Sequence, residues 1–144
     1  MKNFVPSGGS VSRLLNQLFD NKTKYRLSAL DIKRVRKQEH VCYVLAIRNR
    51  KLIGMAALYQ VDLFSRRLGV IEEVVVVKKW RSKGIGREMV EILIARGQKL
   101  GLDCIELNYR LSDTKTARFY RRMGFRSRKN GSMRLILNKS HFIV

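Results

Sequence analysis

The most informative pattern of apolar and polar positions runs from Val70 to Leu100, VIEEVVVVKKWRSKGIGREMVEILIARGQKL. Val74 to Val77 form an apolar run of strand length, and Lys78, Lys79 and Trp80 lead from it into the basic glycine turn Arg81-Ser82-Lys83-Gly84-Ile85-Gly86. Met89, Val90, Leu93 and Ile94 then recur at helical spacing, which predicts a helix from about Gly86 to Ala95 with Gly101 as its stop. Leu102 to Leu107 reads as the next strand, and the order strand, helix, strand implies parallel pairing.

The same reading covers the rest of the chain. Lys2 to Val5 reads as a short strand, ended by Pro6 and the turn Ser7-Gly8-Gly9-Ser10. Ser10 is placed to cap a helix with Val11, Leu14, Leu15 and Leu18 on its apolar face. The glycines before it lack the Lys-Ser/Thr ending of a Walker loop, so they read as a turn. A second helix begins near Ser28, with Asp31 three residues on as a near capping box, and runs through Val35. His40 to Ile47, the turn Arg48-Asn49-Arg50-Lys51 and Leu52 to Tyr59 read as a hairpin, in which Gly54 marks a bulge or a close backbone approach. Val61 to Gly69 is a polar connection containing Leu63, Phe64 and Leu68, expected to be a hairpin end whose apolar residues patch the core, with the border of an acceptor pocket as its alternative in an enzyme. A helix from about Asp113 to Met123 ends at Gly124, and Phe125 to Ser127 with Met133 to Leu137 form a closing hairpin.

Composition sets the class. A chain of 144 residues that is 45% hydrophobic fits one domain, residues 1–144, with a substantial core. Its apolar runs fall short of the roughly 18 residues of a membrane span, and MKNFVPSGGS lacks the apolar core of a signal peptide, so a cytoplasmic location is expected. Cys42 and Cys104 lie inside apolar runs, as buried free thiols of a reducing compartment would. With His40 and His141 they make no zinc spacing, and no metal is expected. The net charge of +20 predicts attraction to polyanions. Two explanations stay open for it: an anionic partner such as RNA or the ribosome, or a compositional bias.

The chemistry points to the glycine turn. A buried strand, a basic turn and a helix start in that order form a socket for anions, because the first helical turn has N–H groups without intrahelical partners and lies at the positive end of the dipole. Glycines let the backbone close on phosphate oxygens, and the socket suits a pyrophosphate. A dinucleotide fingerprint would need a third glycine where Met89 stands, and a Walker loop would need Gly-Lys-Ser/Thr.

Arg81-x-x-Gly84-x-Gly86, followed by Ala117-x-Phe119-Tyr120-x-x-x-Gly124-Phe125, resembles the GNAT superfamily of acetyl-CoA-dependent N-acetyltransferases over roughly residues 40 to 138. The resemblance implies an α+β fold with α/β-like layering: a mixed central sheet of about six or seven strands, splayed at its centre, with about four flanking helices. It implies acetyl transfer from acetyl-CoA to a primary amine of a small molecule or protein. Val74, Val75 and Val76 would pair with the pantetheine arm. The turn Arg81, Ser82, Lys83, Gly84, Ile85, Gly86 and Arg87 would hold the pyrophosphate, mainly through backbone N–H groups from Lys83 to Arg87, while the Arg81 side chain orders the loop or touches phosphate. A bulge would open a gap beside the Leu102–Leu107 strand for the thioester.

A lysine-type ammonium has a pKa of about 10.4, so the acceptor needs a base. The resemblance puts Glu72 in that role, with an ion-pair partner as its alternative, and Glu73 on the other sheet face. The N–H of Val74 or Val75 would meet the oxyanion. Tyr120 would be the general acid near the sulfur and a cofactor contact, with core packing as its alternative. Asp113 reads as a helix N-cap. The resemblance implies a monomer or a homodimer, dimers being common in the family. A reading from a different class keeps the fold as a basic nucleic-acid- or ribosome-associated binding module with a regulatory or vestigial CoA site.

Overall fold

Hydrophobic period and turn chemistry carry over into the elements of a computed structural model, which describes residues 4–19, 22 and 24–138. In chain order these are α1 (Gly8–Leu18), α2 (Ala29–Arg36), β1 (Val41–Arg48), β2 (Lys51–Asp62), β3 (Arg67–Val76), a short 3-10 turn (Lys78–Trp80), α3 (Ile85–Lys99), β4 (Cys104–Asn108), α4 (Thr114–Arg121), β5 (Arg126–Ser127) and β6 (Ser132–Ile136). The six strands form one sheet in the order β1-β2-β3-β4-β6-β5. β3 and β4 run parallel, as the intervening helix requires, whereas β4 with β6 and β5 with β6 are antiparallel. The expected α+β architecture, a mixed sheet flanked by four helices, is therefore present among the described residues. None of the helices described is long and apolar enough to cross a membrane.

Chain contacts divide the molecule into two compact units. The first comprises the described residues of Met1–Ala57 with Glu73–Val90. Its core joins Leu14 and Leu15 of α1 to Leu52, Met55 and Val75, with Val11 and Leu18 packed alongside, so the predicted apolar face of α1 is the buried one. The cap of α1 is Ser7, not the expected Ser10. Ser7 has extended backbone and its hydroxyl accepts from the Ser10 N–H at 3.1 Å, so the helix starts three residues earlier and takes both glycines into its first turn. Gly8 is there for packing: a Cβ at that position would lie 2.1 Å from the Leu27 carbonyl oxygen. α2 has the full capping box between Ser28 and Asp31. Asn49 and Arg50 both have positive φ, 48° and 59°, the signature of the two-residue hairpin turn predicted there. Of the expected first strand, Lys2 and Asn3 lie outside the described residues, and Phe4 and Val5 are irregular.

The second unit comprises the described residues of Leu58–Glu72 with Glu91–Val144. Here the polar connection expected over Val61 to Gly69 shrinks to residues 63–66, because β2 runs on to Asp62 and β3 begins at Arg67. The Leu63 N–H donates to the Arg66 carbonyl at 2.9 Å and closes the hairpin. Leu68 is buried, but Leu63 and Phe64 are exposed at the tip and do not patch the core as expected. Gly97 brings α3 onto β4, since a Cβ there would lie 2.9 Å from the Ile105 side chain. Asp113 caps α4 as predicted, accepting from the Thr116 N–H at 3.0 Å. Cys104 is buried, whereas Cys42 is only partly so; His141 lies outside the described residues.

The two glycines of α1 make a paired test. Gly8→Ala forces backbone apart and is expected to cost about 2 kcal/mol or more. Gly9, which has nothing within 4 Å of a Cβ, should gain on the order of 0.5 kcal/mol as Gly9→Ala through helix propensity. Urea unfolding midpoints of the two variants should therefore move in opposite directions.

Candidate active site

The first unit contains the basic glycine turn. After β3, the Trp80 N–H bonds the Val77 carbonyl at 2.8 Å and the Arg81 N–H bonds that of Lys78 at 3.2 Å, which tightens the chain into the 3-10 turn. Ser82 and Gly84 then have positive φ, 59° and 84°. α3 opens with the Glu88 N–H on the Gly84 carbonyl at 3.0 Å, so Ile85 and Gly86 sit in the first turn, where N–H groups have no acceptor within the helix. A Cβ built on Gly84 meets nothing within 4 Å, so the space beside the turn is open. Lys83 and Arg87 are exposed next to it. An open glycine turn at a positive helix end, flanked by cations, fits a pyrophosphate.

Arg81 braces this turn. Its Nε donates to the Val76 carbonyl at 3.0 Å, which is the loop-ordering one of its two expected roles. The same carbonyl accepts from Gln17 Nε2 at 2.8 Å, and the Gln17 side-chain oxygen accepts from the Lys78 N–H at 3.3 Å. Gln17 was not among the sequence-derived candidates. Its position beside the apolar stripe of α1 is the one local sign, and its partners lie 59 and 61 residues away. Trp80 was also missed; the Arg48 guanidinium lies over its ring at 4.8 Å.

The edge of β3 distinguishes the three valines. The Val77 N–H donates to the Ile53 carbonyl at 2.8 Å, so by strand alternation Val75 also turns its peptide groups toward β2. The Val75 carbonyl accordingly lies 3.1 Å from a Cβ built on Gly54, the close approach predicted for that glycine. Val74 and Val76 face the opposite edge. The Val76 carbonyl already holds two donors, and Val75 is not on that edge. Glu73 has φ of 55° within β3, the left-handed backbone of a bulge. The register of β3 with β4 runs over Leu68–Cys104, Gly69–Ile105 and Val70–Glu106, before that point.

The second unit brings Glu72 and Tyr120 together. Glu72 is exposed on β3. Tyr120 is buried and packs edge-on against Phe119 and Phe125, with ring centroids 4.9 and 5.6 Å apart. Burial pushes its phenol well above the usual tyrosine range, and the nearby Glu72 carboxylate pushes it further. The phenol is therefore a held proton. The ring of Tyr120 is core, which is the packing alternative, and its hydroxyl lies within electrostatic reach of Glu72. Burial also raises the Cys104 thiol, the opposite of what an activated nucleophile needs. Asp113 is committed to its cap, where the Thr116 N–H and hydroxyl hold its carboxyl below the usual range.

Known proteins share this architecture. A solved acetyltransferase of Trypanosoma brucei superposes with a TM-score of 0.73 at 22% identity, covering 85% of this chain and 88% of that one. Glucosamine-6-phosphate N-acetyltransferase from Arabidopsis thaliana gives 0.72 at 20% identity, covering 85% of each chain. These likenesses show the fold. In sequence, the chain is 28% identical over 119 residues to the aminoalkylphosphonate N-acetyltransferase of Salmonella typhimurium, covering 81% of this chain and 77% of that protein. The family model described as Acetyltransferase (GNAT) family matches residues 11–125, from the first turns of α1 through the glycine turn to the Tyr120 motif, and the chain belongs to that family.

Proposed function

We propose that the chain is an acetyl-CoA-dependent N-acetyltransferase that acetylates a primary amine by direct attack with general-base assistance. The observation that carries this reading is the open turn at Gly84, where a left-handed glycine, the first turn of α3 and two exposed cations converge without a side chain in the way. In this reading Lys83 to Arg87 hold the pyrophosphate, Arg81 and Gln17 keep the turn in place, and the outward peptide edge at Val74 and Val76 guides the pantetheine. Coenzyme A, when bound, supplies the activated acetyl thioester. Glu72, exposed on the same strand two residues before Val74, takes the ammonium proton directly or through water. The Val74 N–H is the donor for the developing oxyanion. Tyr120 keeps its proton at neutral pH and delivers it to the sulfur that leaves. A strongly cationic protein favours acidic or neutral acceptors over polycations.

Acetyl-CoA should raise the melting temperature in proportion to the logarithm of its concentration, and free thiol should appear with a suitable amine; a protein showing neither is not an acetyltransferase. Glu72→Gln should lower kcat by about 100-fold while leaving acetyl-CoA stabilisation intact. An unchanged kcat would remove Glu72 from the base role.

Tyr120 adds a stability signature. Its folded pKa is raised above an ordinary value of 10.0, so the folded state holds the proton more tightly than the unfolded state. That contribution is complete below the ordinary value and is lost as pH rises through the folded one. Denaturation free energy should fall with pH above that ordinary value, and this fall should be shallower in Tyr120→Phe.

A further inference from the structure

The second unit contains a charged cluster that the acyl-transfer reading leaves unused. One carboxylate oxygen, Oε1 of Glu106 on β4, is shared by three guanidinium groups. Arg134 reaches it through Nε at 2.7 Å and through a terminal nitrogen, Arg128 at 3.2 Å and Arg66 at 3.8 Å. Arg66 and Arg128 meet no carboxylate other than Glu106 among the described residues, so this one oxygen serves two guanidiniums in addition to Arg134. Side-chain exposures of 20% for Arg134, 26% for Arg66 and 39% for Arg128 leave the group half-buried yet reachable. Arg66 adds an independent sign, because its Nε is buried and meets no oxygen acceptor among the described residues, the Cys104 thiol being a weak acceptor that its side chain also reaches. Buried donors are almost always satisfied, and an unsatisfied one beside a surplus of positive charge calls for an anion.

Register relates the cluster to the proposed base. Val70 pairs with Glu106, and Glu106 pairs with Arg134, so these three residues share one face of the sheet. Glu72 lies two residues beyond Val70 and keeps to that face by strand alternation, about 7 Å further along β3. Ile105 and Leu135, a register pair on the opposite face, point toward Gly97 of α3 and toward Gly124. The arginines and Glu72 therefore stand together on the face turned away from α3. A guanidinium fork matches carboxylate, phosphate or phosphonate oxygens in pairs, which an ammonium does not.

We propose that the Arg66–Arg128–Arg134 cluster binds the oxyanion of the amine acceptor, so that the substrate class is a small primary amine carrying a carboxylate, phosphate or phosphonate a few bonds from its nitrogen. This inference rests on the acyltransferase reading and narrows its acceptor. The spacing puts an amine at Glu72 while the anionic end lies on the arginines. A site built to bond such an oxyanion discriminates strongly against an amine lacking it. Binding of the anionic end also orients the nitrogen, so its loss appears mainly in KM for the acceptor.

The test compares aminopropylphosphonate, an aminobutyrate and butylamine as acceptors, with thiol release as readout, in the intact protein and in Arg128→Gln, Arg66→Gln and Lys51→Gln. The expected result is a preference for one of the two anionic amines over butylamine of about 10-fold or more in kcat/KM. That preference should fall about 10-fold in Arg128→Gln and Arg66→Gln, chiefly through KM, and stay in Lys51→Gln, which changes net charge elsewhere. Whether the phosphonate or the carboxylate leads identifies the anion. Calorimetry of methylphosphonate with saturating coenzyme A present should show binding to the intact protein that weakens in the same two variants. Equal use of all three amines, or a preference that survives both arginine substitutions, overturns the inference and leaves the acyltransferase reading standing. Thiol release with none of the amines, alongside no stabilisation by acetyl-CoA, overturns both.

Discussion

The carbonyl of Val76 is the point on which the glycine turn of the first unit depends. It receives Gln17 Nε2 from α1 and Arg81 Nε from the far side of the glycine turn. Two charge-assisted or amide donors on one oxygen tie strand end, helix and turn together at the place where β3 stops. Because Val77 is simultaneously bonded to Ile53, the chain leaves the sheet in one direction only. The positive φ at Ser82 and Gly84 then turns it into α3 with its first-turn N–H groups outward. The proposed anion socket is made of backbone and is only as good as its rigidity, which these side chains supply.

Along the same strand, backbone strain marks the end of the pairing with β4. Glu73 adopts a left-handed conformation in the middle of β3. Residues before it are paired with β4, and residues after it carry the peptide edge proposed for the cofactor. Such an outlier costs on the order of 1–3 kcal/mol and persists because both flanking segments are held, by the β4 ladder on one side and by Ile53 and the Val75 core contacts on the other. The second unit places its charges by the opposite device, regular alternation. Val70, Glu106 and Arg134 line one face because their strands are in register, and this puts the arginine cluster on the same face as Glu72.

Local chemistry was legible wherever residues close in sequence make it. The capping box of Ser28 and Asp31, the cap at Asp113, the hairpin turn at Asn49-Arg50, the parallel order around α3 and the helical face of Met89, Val90 and Leu93 all follow from spacing, because propensity and period act over a few residues. Where the sequence misled, a distant contact had overridden a local signal. Ser10 looked like the cap until the approach of Leu27 to Gly8 allowed the helix to begin at the glycines. Phe64 and Leu63 looked like core residues, but the ladder between β2 and β3 extends so far that they stand beyond it.

From its sequence alone this protein had its family motifs, its glycine turn and its candidate groups Glu72 and Tyr120, since each is written in contiguous residues. Only the tertiary structure decided that Arg81 and Gln17 hold one carbonyl, that Val74 and not Val75 faces the free edge, and that three arginines converge on Glu106. Those partners lie on separate elements. Their meeting is set by strand register and helix docking, which depend on burial summed over the whole core and leave no local trace.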